Sequence, residues 1–210
     1  MHVARSALLI LLAVPITALS VGCSSENTGT AQPGPTQDEA GQGNTQSARP
    51  TLTNPKLQPP PQDKKSAVDS DRPPVVFDPC TWISDESIQR AGFDPSSRKR
   101  GDDLVAEYSF LTCDFSSPER KLLFNSGNAT WDENLAKVGS YSEPITVNGR
   151  DALWVHDTTL PRTCQIDVRT KIGFVQISAV GTYRAPQSAD MCEGLLDLAT
   201  AIEPEIGKDN

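Results

Sequence analysis

The chain is predicted to fold as an α+β domain: an antiparallel sheet of hairpins, with helices at both ends packed on one face and two disulfides. Three observations carry that expectation. Asn148-Gly149 stands between two alternating runs, Ile145–Val147 and Arg150–Val155, which is the pattern of a two-residue hairpin turn. Capped stretches with helical periodicity lie at both ends of the domain, one after Ser84 and one from Ala189 to Ile202. Cys80, Cys113, Cys164 and Cys192 remain once Cys23 is set aside. An even set of cysteines in an exported chain reads as two disulfides.

Export is read from the first 22 residues. Arg5, with His2, supplies a short positive start, and Ala7–Leu19 is an apolar run broken only by Pro15 and Thr17. That run is shorter than the roughly 20 residues a spanning helix needs. Leu19-Ser20-Val21-Gly22-Cys23 resembles a bacterial lipobox, in which the cysteine is acylated and the chain is cut before it. Ser20 stands where that signal most often has Leu. Residues 1–22 therefore read as a lipoprotein signal peptide and Cys23 as the lipidated, palmitate-bearing residue. The expected location is the extracytoplasmic face of the cell membrane, lipid-anchored, since more than one acyl chain gives stable attachment.

Residues 23–76 are expected to be a disordered tether. They hold nine of the 17 prolines and no aromatic residue, so they bury too little apolar surface to offset their ordering entropy. Residues 77–210 are expected to form a single domain, and Phe77 is the first aromatic of the chain.

Within the domain, Ser84 caps a helix with Asp85 and Glu86 in its first turn, where the dipole favours them. Ile83 and Ile88 stand at staple positions, and Gly92 ends the helix. Arg98-Lys99-Arg100 reads as a charged loop. Residues 103–115 read as a strand, Ser116-Ser117-Pro118 as a turn and Lys121–Asn125 as the returning strand. Ala129–Val138 reads as a short helix with Thr130 as its cap. Gln165–Val168 and Ile172–Val180 form a second hairpin. The last helix, Ala189–Ile202, is capped by Ser188 and stopped by Pro204, with Met191, Leu195, Leu198 and Ile202 on one face. Four cysteines allow three pairings. Cys80–Cys113 and Cys164–Cys192 are favoured, because each joins a helix to a strand within one half of the domain.

Asp78-Pro79-Cys80 opening a helix, a strand ending in Cys113, and the later Cys164 and Cys192 follow a lipobox and a Pro/Thr/Gln-rich stretch. Together they resemble an uncharacterised lipoprotein family of actinobacterial cell envelopes, the domain of unknown function 3558, over residues 77–203. The resemblance implies an envelope location and a fold. It supplies no catalytic residue.

Charge narrows the partners. The chain has 19 Lys+Arg against 27 Asp+Glu, a net charge of −8. Losing Arg5 with the signal leaves 18 against 27, or −9. That balance argues against nucleic acid, whose binding is dominated by phosphate neutralisation, and against a polybasic grip on lipid. No Cys or His pair has zinc-ligand spacing, so no metal and no cofactor is assigned. His156 beside Asp157 would serve as a general base, but no Gly-x-Ser-x-Gly elbow accompanies it, and the pair reads as surface at a strand end. Asp102-Asp103 and Asp69-Ser70-Asp71 read as solvated turns. Trp82, Trp131 and Trp154 would stack on sugar rings if exposed, and are expected in the core. Arg98-Lys99-Arg100 would meet an anionic envelope polymer or lipid headgroups. Asn128-Ala129-Thr130 matches a glycosylation sequon that carries little weight in a bacterial lipoprotein.

The expected function is a non-enzymatic binding or interaction module, with no catalytic residues, displayed on its tether. The expected partners are the membrane through the anchor and an envelope protein or glycan, with the chain a monomer. The alternative is an envelope hydrolase acting on cell-wall glycan or ester through His156, Asp157 and scattered carboxylates.

Overall fold

Every second residue of the central strands is apolar, and that alternation lays one apolar and one polar face along the sheet. The computed structural model describes residues 52–63, 71–208 and 210, all of which fall in one compact unit. The strands are β1 Asp94–Arg100, β2 Leu104–Val105, β3 Ser109–Ser116, β4 Arg120–Gly127, β5 Ser142–Val147, β6 Arg150–Val155, β7 Thr163–Arg169 and β8 Phe174–Gly181. The helices are α1 Pro79–Trp82, α2 Asp85–Arg90, α3 Trp131–Val138 and α4 Leu195–Ile206. All pairings are antiparallel, in the order β1-β3-β4-β8-β7-β6-β5, with β2 paired to β3 off that path.

Leu111, Cys113 and Phe115 of β3, Leu122 and Phe124 of β4, Ile166 and Val168 of β7, and Val175 and Ile177 of β8 make the apolar face. Helices α1, α2 and α4 pack on that side, adding Ile83, Ile88, Leu195, Leu198 and Ile202 to the core. The terminal helices thus share a face, as expected. Helix α3 stands on the other face, where Val138 packs against Leu153 and Val155 of β6.

Both favoured disulfides are present. Cys80–Cys113 joins α1 to β3 with Cα atoms 5.0 Å apart, and Cys164–Cys192 joins β7 to the turn before α4 at 5.1 Å. The Asn148-Gly149 hairpin holds both residues at positive φ, 51° and 82°, as its turn type requires.

Three elements differ from the sequence reading. The stretch containing Arg98-Lys99-Arg100 is a strand, β1, at one edge of the sheet, with its register shifted between Asp94 and Lys99. Between Asp94 and Arg100 there is no apolar alternation to read, and Pro95 and the three cations both suit an edge strand that must not recruit further strands. The strand expected over 103–115 breaks after Val105, where the Ala106 N–H turns to the Tyr108 carbonyl at 3.0 Å.

The last helix begins at Leu195, not Ala189, after Gly194 at φ 73°, so Ser188 is not its cap. Residues 191–194 form a turn, and Asp190 Oδ1 accepts from the Cys192 N–H at 2.8 Å. Pro204 does not end the helix, which runs on to Ile206. A proline leaves the carbonyl four residues earlier without its donor. Here that carbonyl belongs to Thr200, and Asn148 Nδ2 donates to it at 2.9 Å from the hairpin turn.

Part of the expected tether belongs to the fold. Residues 52–63 and 71–76 form a strap on the domain, which corrects the boundary drawn at 77. Leu57 is buried in the core, and the Leu52 N–H donates to the Thr81 carbonyl at 2.9 Å. Gln62 bonds the Val75 backbone in both directions, at 2.8 and 3.0 Å. Arg72 places a two-pronged ion pair on Glu133 of α3, at 2.9 and 2.6 Å. A few apolar residues and side-chain partners for the backbone are enough to hold a proline-rich segment of otherwise low hydrophobicity. The signal at 1–22, Cys23, and the tether residues 23–51 and 64–70 lie outside the described residues. Among the described residues, no helix is long and apolar enough to cross a membrane.

Candidate functional site

The residues singled out in sequence go to separate places. Asp78 caps α1, accepting from the Cys80 N–H at 3.2 Å and the Thr81 hydroxyl at 2.8 Å. Arg100 then donates to both Asp78 oxygens at 2.7 and 2.6 Å, to Asp103 at 3.2 Å and to the Leu57 carbonyl through Nε at 2.9 Å. Arg98 is buried over the Phe115 ring, 4.7 Å from its centroid, and donates to the Cys80 carbonyl and Asp85. Two of the three cations in the basic run are therefore structural. Asp103 belongs to the Arg100 cluster and to the Thr112 N–H, at 2.7 Å.

His156 and Asp157 do not meet. The imidazole lies half-exposed on Trp154, with Nε2 3.7 Å from Glu143. Asp157 accepts from the Thr159 hydroxyl and N–H, which hold its carboxyl below the usual range. Trp82 and Trp154 pack against the main core and Trp131 against the smaller cluster under α3. Asn128 is buried, accepting from the Ser109 N–H at 2.7 Å and donating to the Pro73 carbonyl at 3.0 Å. Among the described residues, no group of three His, Cys, Asp or Glu side chains could hold a metal ion.

What the sheet does assemble is a polar ladder on the face away from the main core. Asn125 of β4 is paired with Gln176 of β8, and Gln176 with Asp167 of β7. Period-two alternation puts these residues on one side, together with Gln165 and Ser178. Asn125 Nδ2 donates to Gln176 Oε1 at 3.2 Å. Gln176 Nε2 donates to Gln165 Oε1 at 2.7 Å and to the Ser178 hydroxyl at 3.4 Å. Gln165 Nε2 donates to Asp167 Oδ1 at 2.8 Å, and Asn134 Nδ2 of α3 donates to Asp167 Oδ2 at 2.9 Å.

The ladder runs from the half-buried Asn125 and Gln176 to an Asp167 that is 0% exposed beneath α3. Burial pushes the Asp167 carboxyl up to about 6, against the opposing pull of its two amide donors and of Lys137. On the same face Asp114 of β3 is also raised by burial, with Lys121 and Lys99 acting against the rise. At the far end of α3, the Arg72 guanidinium and the Thr130 cap hold Glu133 down at about 2.

Sequence reasoning passed over this ladder. Asn125 and Gln176 are 51 positions apart along the chain, and the members converge only through strand register. The available signal was three planar amides, Asn125, Gln165 and Gln176, each at an outward position of a strand.

The chain was compared with known proteins. The model of a family described as protein of unknown function (DUF3558) matches residues 18–205, which extends the similarity back to residue 18. No curated protein and no solved structure matches the chain.

Proposed function

The chain belongs to that family of unknown function, DUF3558, and from this premise we propose a cell-envelope lipoprotein whose domain is a non-enzymatic binding module. Cys23 holds it by acyl chains to the extracytoplasmic face of the membrane. The polar ladder face receives a protein or glycan of the envelope. The observation that carries the binding role is the ladder itself. A sheet face that gathers mutually bonded amides around a buried carboxylate is costly to desolvate. Side chains with paired, fixed orientations are also what a polar ligand needs in order to be recognised. The lipobox residues and two disulfides, which persist in oxidising compartments, support the location.

The hydrolase alternative would draw on Asp167, whose carboxyl burial pushes up to about 6, the direction that suits a proton donor near neutral pH. That group lies wholly buried under α3, so we rank binding above catalysis.

The test has two arms. Cys23→Ala should move the protein from the membrane fraction to the soluble or secreted one, and unchanged detergent partitioning would refute the anchor. Crosslinked pull-down from membranes should recover a partner with the wild type and lose it with Gln176→Ala. Equal recovery would move the binding role off this face.

A further inference from the structure

The ladder has a direction. An ionised carboxylate can only accept hydrogen bonds, so each amide nitrogen between Asn125 and Asp167 faces inward. Asn125 thus ends the chain with one Nδ2 hydrogen spent on Gln176 and with no partner among the described residues on its Oδ1. An amide that donates through nitrogen becomes a better acceptor at oxygen, because bonds in such a chain polarise one another.

We infer that Asp167 is the positioning residue that fixes this direction, so that Asn125 Oδ1 meets the ligand as a hydrogen-bond acceptor and the face selects donor groups such as the hydroxyls of a polyol. The inference rests on reading this face as the binding surface. Its main test needs no ligand, so the two can fail separately.

Reversing the charge pattern should reverse the ladder with every bond kept. In the double variant Asn125→Asp/Asp167→Asn, Asn134 still donates to the oxygen at position 167. The new amide there donates to Gln165, Gln165 to Gln176, and Gln176 to the new carboxylate at 125. In the single variant Asn125→Asp, carboxylates stand at both ends and one oxygen–oxygen contact cannot be relieved. The two sites are two strands apart, roughly 10 Å, a separation at which substitutions without shared partners normally add.

The experiment is a double-variant cycle read by urea midpoints at pH 7.5 on the disulfide-bonded protein. Asn125→Asp should lower the midpoint in the wild type, and clearly less, or not at all, in Asp167→Asn. The same cycle in a Gln176→Met background cuts the ladder and should become additive. Additive midpoints in the intact background would overturn the inference. So would coupling that survives Gln176→Met, since that is through-space repulsion. For the ligand class, glycerol (a donor and acceptor) and dimethyl sulfoxide (an acceptor only) are titrated against the wild-type side-chain amide signals. Glycerol, which can also donate to Oδ1, should shift the Asn125 signals clearly more than dimethyl sulfoxide, which can meet only the second Nδ2 hydrogen. The reverse preference would mean that the ladder points outward.

Discussion

Arg100→Met removes one guanidinium and exposes how the strap, α1 and β1 are held together. The Asp78 and Asp103 side chains it serves are 5% and 9% exposed, and the Arg100 side chain is itself 11% exposed. Without the cation, two nearly buried carboxylates lose their counter-charge and the Leu57 carbonyl loses its donor. Breaking a buried pair by removing one partner costs about 3–5 kcal/mol. For a domain of this size each kcal/mol shifts Tm by roughly 2–4 °C, so the expected fall is roughly 6–20 °C. The assay is urea unfolding at neutral pH with a thermal melt alongside. The control is Lys99→Met, one residue away and exposed, expected to stay within about 0.5 kcal/mol. A further arm, Arg100→Met with Asp78→Asn, should recover part of the loss, because it removes an uncompensated charge. If Arg100→Met costs no more than Lys99→Met, Arg100 is a surface residue in solution and this account of the strap is wrong.

Three other outcomes are expected. The Asp167 carboxyl is raised from 3.8 to about 6, so the folded state binds more protons between those values and stability falls as pH rises through that window. Asp167→Asn should abolish this slope and stabilise the protein at pH 7.5 by up to roughly 3 kcal/mol; a slope that persists in urea midpoints measured from pH 4 to 7.5 would assign it to other groups. Replacing Cys80 and Cys113, or Cys164 and Cys192, by serine should each cost about 3–4 kcal/mol, given separations of 33 and 28 residues, and unchanged denaturation midpoints would contradict that. Asn148→Ala should cost about 2 kcal/mol, since it forces an alanine to positive φ and strips the Thr200 carbonyl of its donor; hydrogen exchange should quicken in the last turn of α4, and an unchanged rate there would count against the cap.

The elements legible in sequence were those whose signal is local. Asn148-Gly149 specifies its own backbone, Ser84 and Thr130 cap their own helices, and the apolar parity of β3 is visible within eight residues. What escaped depends on partners distant in sequence. Strand β1 carries charges because it is an edge, and Arg98 and Arg100 look like surface cations until Asp85, Asp78 and Asp103 are brought beside them. Helix α4 runs past Pro204 with Asn148, 56 positions earlier, serving the orphaned carbonyl. Leu57 sits in a segment too polar and too proline-rich to announce itself, and it is buried by a cleft that other residues make. The ladder escaped for the same reason: outward polar residues on single strands look like a solvated face, and only the register of β4, β8 and β7 puts them in one line.

The strap also decides how the domain would bear a load. A pull from the N-terminal side first meets the Leu52–Thr81 hydrogen bond, then the buried Leu57, then the clasp between Gln62 and Val75. Arg72 on Glu133 and Arg100 on Asp78 hold next, and each contact can peel away singly, like a seam. At Cys80 the peeling meets a covalent stop, since the bridge to Cys113 passes the force directly to β3, flanked by β1 and β4. From Leu52 to Pro79 the sequence is 28 residues long, roughly 95 Å when drawn out, and that length can be released while the sheet stays whole.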